Sequence, residues 1–203
     1  MFKKMLAVIL LSSSICIAHA QTVKVSAGIR GEGIATFTGT EITPKTFMQM
    51  GGGGGIFAGI KAGNIVGLQA DVLYNFHSAG YNIDMAGYSS AKTKHSYVDI
   101  PICLQLWCSK GFAFEVGYQQ SIALSGTLSL DGEQAVEDTG ILDYGSLVAG
   151  AVINMGKVVF LNFRFTKALG YSYVMTADPS KNMTMQVGLG FRLFNSRQSV
   201  FKK

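Results

Sequence analysis

Charge is scarce in this sequence. Only 14% of the 203 residues are Asp, Glu, Lys or Arg, whereas soluble domains carry about a quarter. Hydrophobic residues supply 48%, so the shortage is not that of a disordered chain. It also fits the water-covered surface of an ordinary soluble enzyme poorly. The net charge of +5 is dispersed, with no basic cluster of the kind that binds nucleic acid, and none is expected as a partner. Cysteine is nearly absent. Cys103 and Cys108, read as extended chain at about 3.3 Å per residue, lie roughly 15 Å apart, beyond the ~7 Å reach of a disulfide. They are expected as free thiols, one in a strand and one in a turn. Neither they nor any His spacing forms a metal site, and no cofactor is expected. Beyond the N-terminus there is no run of 18 apolar residues, which excludes a helical span.

The N-terminus is different. Lys3 and Lys4 precede an apolar run from Met5 to Ile17, softened by Ser12, Ser13 and Ser14, and Ala18-His19-Ala20 is a small-x-small cleavage site. Residues 1–20 are expected to be a cleaved signal peptide, leaving Gln21 as the first mature residue. The run is too short for a membrane anchor, and Ile15 before Cys16 stands where lipidation needs a small residue. Cleavage removes two lysines, lowering the net charge from +5 to +3.

What recurs along the mature chain is period-two alternation, the signature of a strand with two different faces. Val66, Leu68, Ala70, Val72, Tyr74 and Phe76 alternate with Gly67, Gln69, Asp71, Leu73 and Asn75. Segments starting at Val23, Val98, Phe112, Val159 and Met185 repeat the pattern, and the glycine-rich 52–62 places Ile56, Ala58 and Ile60 on one face. Residues 141–153 are apolar on both faces, so their phase stays open. At Gln120 a polar residue enters the apolar phase, which suggests a bulge or the membrane edge near it. Short connections near 63, 109 and 155 alternate with longer polar ones at 37–51, 78–95, 127–140 and 171–182. Eight strands with this asymmetry predict an all-β fold, an eight-stranded antiparallel up-and-down transmembrane β-barrel spanning 21–194, with a short basic tail at 195–203. Both termini are expected in the periplasm and the longer loops outside the cell. Tyr74 and Phe76 at one end, and Phe112, Phe114 and Phe191 at the other, suit two interfacial aromatic girdles.

The polar faces decide between a soluble and a membrane barrel. They carry Arg30, Asp71, Asp99, Glu115, Arg164 and Arg192 among Gly, Gln and Asn. A soluble surface would be rich in Lys and Glu. A balanced handful of charges among small polar residues suits the interior of a narrow barrel, which eight strands leave just wide enough for side chains. These six are therefore expected to form an interior charge network, formally neutral, that fills the lumen.

Several segments resemble the PorT-type outer-membrane β-barrel family. Gly67-Leu68-Gln69-Ala70-Asp71-Val72-Leu73-Tyr74 is similar to its L-Q-x-x-x-x-Y strand, and Tyr97-Val98-Asp99-Ile100-Pro101 to its Y-x-E-I-P strand. Phe163-Arg164-Phe165 with Ala168-Leu169-Gly170 resembles its R-Y…G-L strand, and Gly188-Leu189-Gly190-Phe191-Arg192 its closing G-L-G-Y-R-F. Asp99 stands where Glu is usual and Ala168 where Gly is usual. Which of Phe194 or Phe201 would act as the terminal insertion signal stays open. The resemblance implies a Gram-negative outer-membrane location and a link to protein secretion.

Other candidate chemistry is thin. His95-Ser96 are adjacent on a strand and so point to opposite faces, which excludes a nucleophile–base pair. Gly51 to Gly55 lacks the Lys-Ser/Thr and helix of a phosphate loop. Asp131, Glu133, Glu137 and Asp138 lack calcium-loop spacing. Lys92, Lys94 and His95 could meet lipopolysaccharide phosphates. The expectation is a non-enzymatic barrel with a structural or interaction role. A small channel is the alternative, and a lipid-modifying enzyme is a third reading. Its partners would be outer-membrane lipid and lipopolysaccharide, the barrel-insertion and periplasmic chaperone machinery during biogenesis, and envelope or secretion proteins.

Overall fold

The computed structural model describes residues 22–38, 47–85, 88–130, 136–137, 143–169 and 183–199. The signal segment, Phe201 and most of the acidic stretch 131–143 lie outside them. The strands are β1 (Thr22–Thr38), β2 (Phe47–Ala62), β3 (Val66–Met85), β4 (Tyr88–Trp107), β5 (Phe112–Leu130), β6 (Val136–Glu137), β7 (Tyr144–Met155), β8 (Val159–Ala168) and β9 (Met183–Ser199). With β6 left aside, each strand pairs antiparallel with the next along the chain, and β9 returns to pair with β1. The result is a closed eight-stranded up-and-down barrel, with β6 a two-residue piece on β5. Closure leaves no open edge, as lipid requires.

Alternation sets the two faces. Ile29, Val72, Val116, Phe163, Val187 and Leu189 are exposed on the outside, while Arg30, Asp71, Glu115, Asn162, Arg164 and Gln186 are buried inside. This polarity is the reverse of a soluble barrel, where the apolar set would turn inward. Tyr74 and Phe76 are exposed outward towards one end, Phe114 and Phe191 towards the other. The short turns 63–65 and 156–158 turn at Gly63 (φ 59°) and Gly156 (φ 98°), backbone states that cost glycine little.

Four details differ from the sequence reading or complete it. First, β7 takes the phase that buries Ser146, Val148 and Val152 and exposes Leu147 and Ile153. Second, the bulge on β5, expected near Gln120, lies at Leu124, where Ser96 opposes Ser125 and Tyr97 opposes Ala123. Gln120 keeps its outward phase because its side chain accepts from Tyr118 Oη (2.9 Å) and donates to the Tyr144 carbonyl (3.2 Å). Third, the 78–95 loop is strand almost throughout, with Ser78 opposite Lys94 and Asn82 opposite Ser90. Backbone pairing by itself needs no apolar stripe, so alternation could not reveal it. Fourth, β9 continues through Ser199, pairing residues expected in the tail with Thr22 to Ser26. A bulge at Leu193 precedes this stretch and leaves both Leu193 and Phe194 exposed on the outside.

Candidate functional site: the filled lumen

The ladder registers explain how charged side chains meet inside. Arg30 on β1 faces Gly55 on β2 and Gly190 on β9. With no side chain on either flank, its guanidinium is free to extend across the lumen. Arg164 on β8, Gly150 on β7 and Glu115 on β5 form one row, so Arg164 reaches Glu115 over a glycine. A Cβ at Gly150 would lie 3.0 Å from Glu115 Oε1, and one at Gly188 3.0 Å from Arg30 Nε. The glycines of the wall are the space that the network occupies.

Arg30 donates through Nη1 to Asp71 Oδ2 (2.7 Å) and through Nη2 to Glu32 Oε2 (2.5 Å). Arg164 donates through Nη1 to the same Asp71 oxygen (2.6 Å), through Nε to Glu115 Oε1 (2.6 Å) and through Nη2 to Glu115 Oε2 (3.4 Å). All five side chains are fully buried. Amides complete the shell. Gln69 Nε2 donates to Asp71 Oδ1 (2.7 Å) and Asn162 Nδ2 to Glu115 Oε1 (2.6 Å). Asn75 Nδ2 donates to Glu32 Oε1 (3.0 Å) and to Asp99 Oδ2 (2.6 Å). Buried ions need partners of this kind, because an uncompensated one costs several kcal/mol.

Of the six charges expected to share the interior, Arg30, Asp71, Glu115 and Arg164 are joined by ion pairs. Asp99 accepts from Asn75 Nδ2 and enters no ion pair among the described residues. Arg192 stands apart. It donates to Asn154 Oδ1 (2.6 Å) and lies 4.6 Å over the Phe160 ring, near the short-turn end. Glu32 was missed, although it is two residues beyond Arg30 on the same strand and therefore shares its face. With Glu32 included, the central lumen holds two arginines and four carboxylates rather than a neutral set.

Above and below this layer the lumen is also filled. Towards the short turns, Phe57, Trp107, Ala113, Val152 and Phe160 form an apolar plug, with Phe57 and Phe160 edge to face at 5.2 Å. Towards the other end, His77 and His95 oppose each other across β3 and β4, both buried, and Thr36 Oγ1 lies 3.3 Å from His77 Nδ1. Ser96 turns outward and accepts from Tyr74 Oη (3.2 Å), so it cannot meet His95. The inward turn of His95 also removes it from the set expected to face lipopolysaccharide. Lys94 is exposed, and the Lys92 side chain lies outside the described residues. Cys103 is buried in the lumen and Cys108 exposed at a turn, both free.

No family model matches the chain, and no curated protein sequence matches it. Its likeness is structural. The attachment invasion locus protein Ail of Yersinia pestis, solved with the heparin analogue sucrose octasulfate, is 11% identical. The match covers 84% of this chain and 99% of that one at a TM-score of 0.50. Neisserial surface protein A is 12% identical, with 83% and 97% covered and a TM-score of 0.51. At such identities the likeness is one of fold. Closed eight-stranded architecture, an apolar exterior and a polar, packed interior together define an integral outer-membrane β-barrel.

Proposed function

We propose that this protein is a structural or interaction barrel of the outer membrane with a lumen closed to solutes. One observation carries the reading. Asp71 on β3 and Arg164 on β8 belong to strands four places apart in a ring of eight, directly opposite one another, and their side chains meet at 2.6 Å. A bond across the full width of the lumen leaves no open path beside it in a barrel this narrow. The short turns are assigned to the periplasm and the other end to the cell exterior, following the usual asymmetry of such barrels. Residues 1–20 act as the export signal in this reading. The resemblance to PorT-type barrels supports a role beside secretion or envelope proteins, with lipopolysaccharide around the barrel and chaperones and insertion machinery acting during assembly. The side chains facing the lumen hold one another rather than a substrate, which supports a non-enzymatic role. The test is conductance across a planar bilayer of the refolded protein. The expected result is no steady current. A sustained unitary conductance from the wild type would favour a small channel instead.

A further inference from the structure

The short-turn mouth has an unusual charge distribution. None of the chain's twelve Asp and Glu residues falls within 1–31, 54–70, 100–114, 144–177 or 179–203, the stretches that contain every strand end and turn on this side. Basic residues do fall there. A cavity of about 700 Å³ opens at this end, lined by Lys24, Lys61, Arg192, Lys110, Lys157 and Trp107. That volume lies within the usual range for small-ligand sites.

Three of these cations belong to the lumen and not to the lipid interface. Lys24 is in phase with inward-facing Gly28 and Arg30, Lys61 with Phe57, and Arg192 with Gly188 and Gly190. Lys24 and Lys61 are also direct partners across the β1–β2 ladder. Like charges directly opposite on one face of a sheet repel and destabilise it, and among the described residues no carboxylate pairs with either. Lys61 Nζ lies 3.7 Å over the Trp107 ring, a cation–π contact that orients the ammonium without neutralising it. Trp107 itself is 8% exposed, and its Nε1 has no hydrogen-bond partner. On the side of the central layer the cavity is lined by Gln69 and Gln105, whose amides donate to Asp71 and Glu115 and so stand between those carboxylates and the cations. A mouth of crowded, uncompensated cations with a spare buried N–H donor is therefore built for a ligand that brings negative charge and acceptor oxygens.

We propose that the short-turn mouth of the barrel binds a phosphate-bearing anion between Lys24, Lys61 and Arg192, with Trp107 as its floor. Lysine suits this task as a compact point charge with freely rotating donors. A free phosphate compound or the headgroup of an anionic phospholipid in the adjoining leaflet would present the same chemistry.

Trp107 is the only tryptophan in the chain, so its fluorescence reports on this site alone. The full mature protein, refolded in a zwitterionic detergent, is titrated with pyrophosphate at constant ionic strength made up with chloride, because screening alone weakens exposed charge interactions. In parallel, the protein is reconstituted in phosphatidylcholine vesicles with and without phosphatidylglycerol. The expected result is a saturable change in Trp107 emission with pyrophosphate that weakens at least tenfold in Lys24→Gln/Lys61→Gln. A response to phosphatidylglycerol alone, lost in the same variant, would assign the site to a lipid headgroup. Folding of the variants is checked by their heat-modifiable gel shift. Should the double variant fail to fold, Lys24→Gln, which keeps the Lys61–Trp107 contact, takes its place with an expected severalfold loss. The proposal is overturned if neither probe changes the emission beyond matched chloride, or if the variant responds with wild-type affinity.

Discussion

Glu115 is where the lumen network is most exposed to a single change. It accepts two hydrogen bonds from Arg164, one from Asn162 Nδ2 and one from Gln105 Nε2. Glu115→Ala removes all four at once in a buried layer. Charge-assisted bonds contribute about 1.5–3 kcal/mol each, and breaking a buried pair costs about 3–5 kcal/mol. Two features decide where in that range the loss falls. Arg164 keeps Asp71 at 2.6 Å, so it is not stranded. The layer also holds four carboxylates against two arginines, so losing one carboxylate moves it nearer to neutrality. Both features point to the lower end, about 3 kcal/mol. At a urea dependence of about 1–3 kcal/mol per molar, this is a midpoint lower by about 1–3 M. Urea unfolding of the reconstituted protein, followed by Trp107 emission, measures it. Glu115→Gln keeps an acceptor for Arg164 and should lose roughly half as much. A midpoint for Glu115→Ala within error of the wild type would refute the reasoning, because it would mean the ion pairs are not what fills and holds the lumen.

Three further outcomes follow from the same geometry. A Cβ at Gly190 would sit 2.2 Å from the Phe160 ring, so Gly190→Ala should cost about 1–3 kcal/mol by overpacking, read in the same urea assay. Leu189 faces outward at the height of the ion network, so Leu189→Arg should cost about 2–4 kcal/mol in a bilayer, with little effect on unfolding from detergent. Single cysteines placed in whole cells at Glu133 should react with an impermeant maleimide and those at Asn64 should not, and the reverse labelling would invert the proposed orientation.

The barrel was legible because its physics is periodic. A strand between lipid and a packed interior must alternate at every residue, and that constraint is written directly into stretches such as 66–76. The places where the reading went astray are those where the constraint lapses. Residues 78–95 continue the β3–β4 ladder beyond the alternating stretch, so the pairing there shows in the register and not in an apolar stripe. In 141–153 both faces are apolar because β7 turns Val148 and Val152 inward, Val152 into the aromatic plug, while presenting Leu147 and Ile153 to the outside. At Gln120 a polar residue faces outward, but a neighbouring Tyr118 hydroxyl and a carbonyl satisfy it, so no bulge was required.

The lumen was legible as a composition but not as a set of pairs. Alternation assigns a face, and Glu32 could have been found by extending the β1 pattern one step past Gly31. It does not assign height along the barrel axis, which depends on how each strand is staggered against the next. Arg192 has the correct face and the wrong height, so it meets Phe160 and Asn154 and not a carboxylate. Stagger emerges only from the registers, and these show glycines in the rows beside the two arginines that cross the lumen. Arg30 has Gly55 and Gly190 as cross-strand neighbours, and Arg164 has Gly150. Glycine weakens a strand by itself, so its abundance on the wall needs a compensating cause. In a barrel of eight strands that cause is volume, since an arginine can extend to the opposite wall only where the neighbouring positions give up their side chains. The richness in glycine and the scarcity of charge are thus two consequences of one geometry, a lumen so narrow that each long charged side chain must be given room by its neighbours.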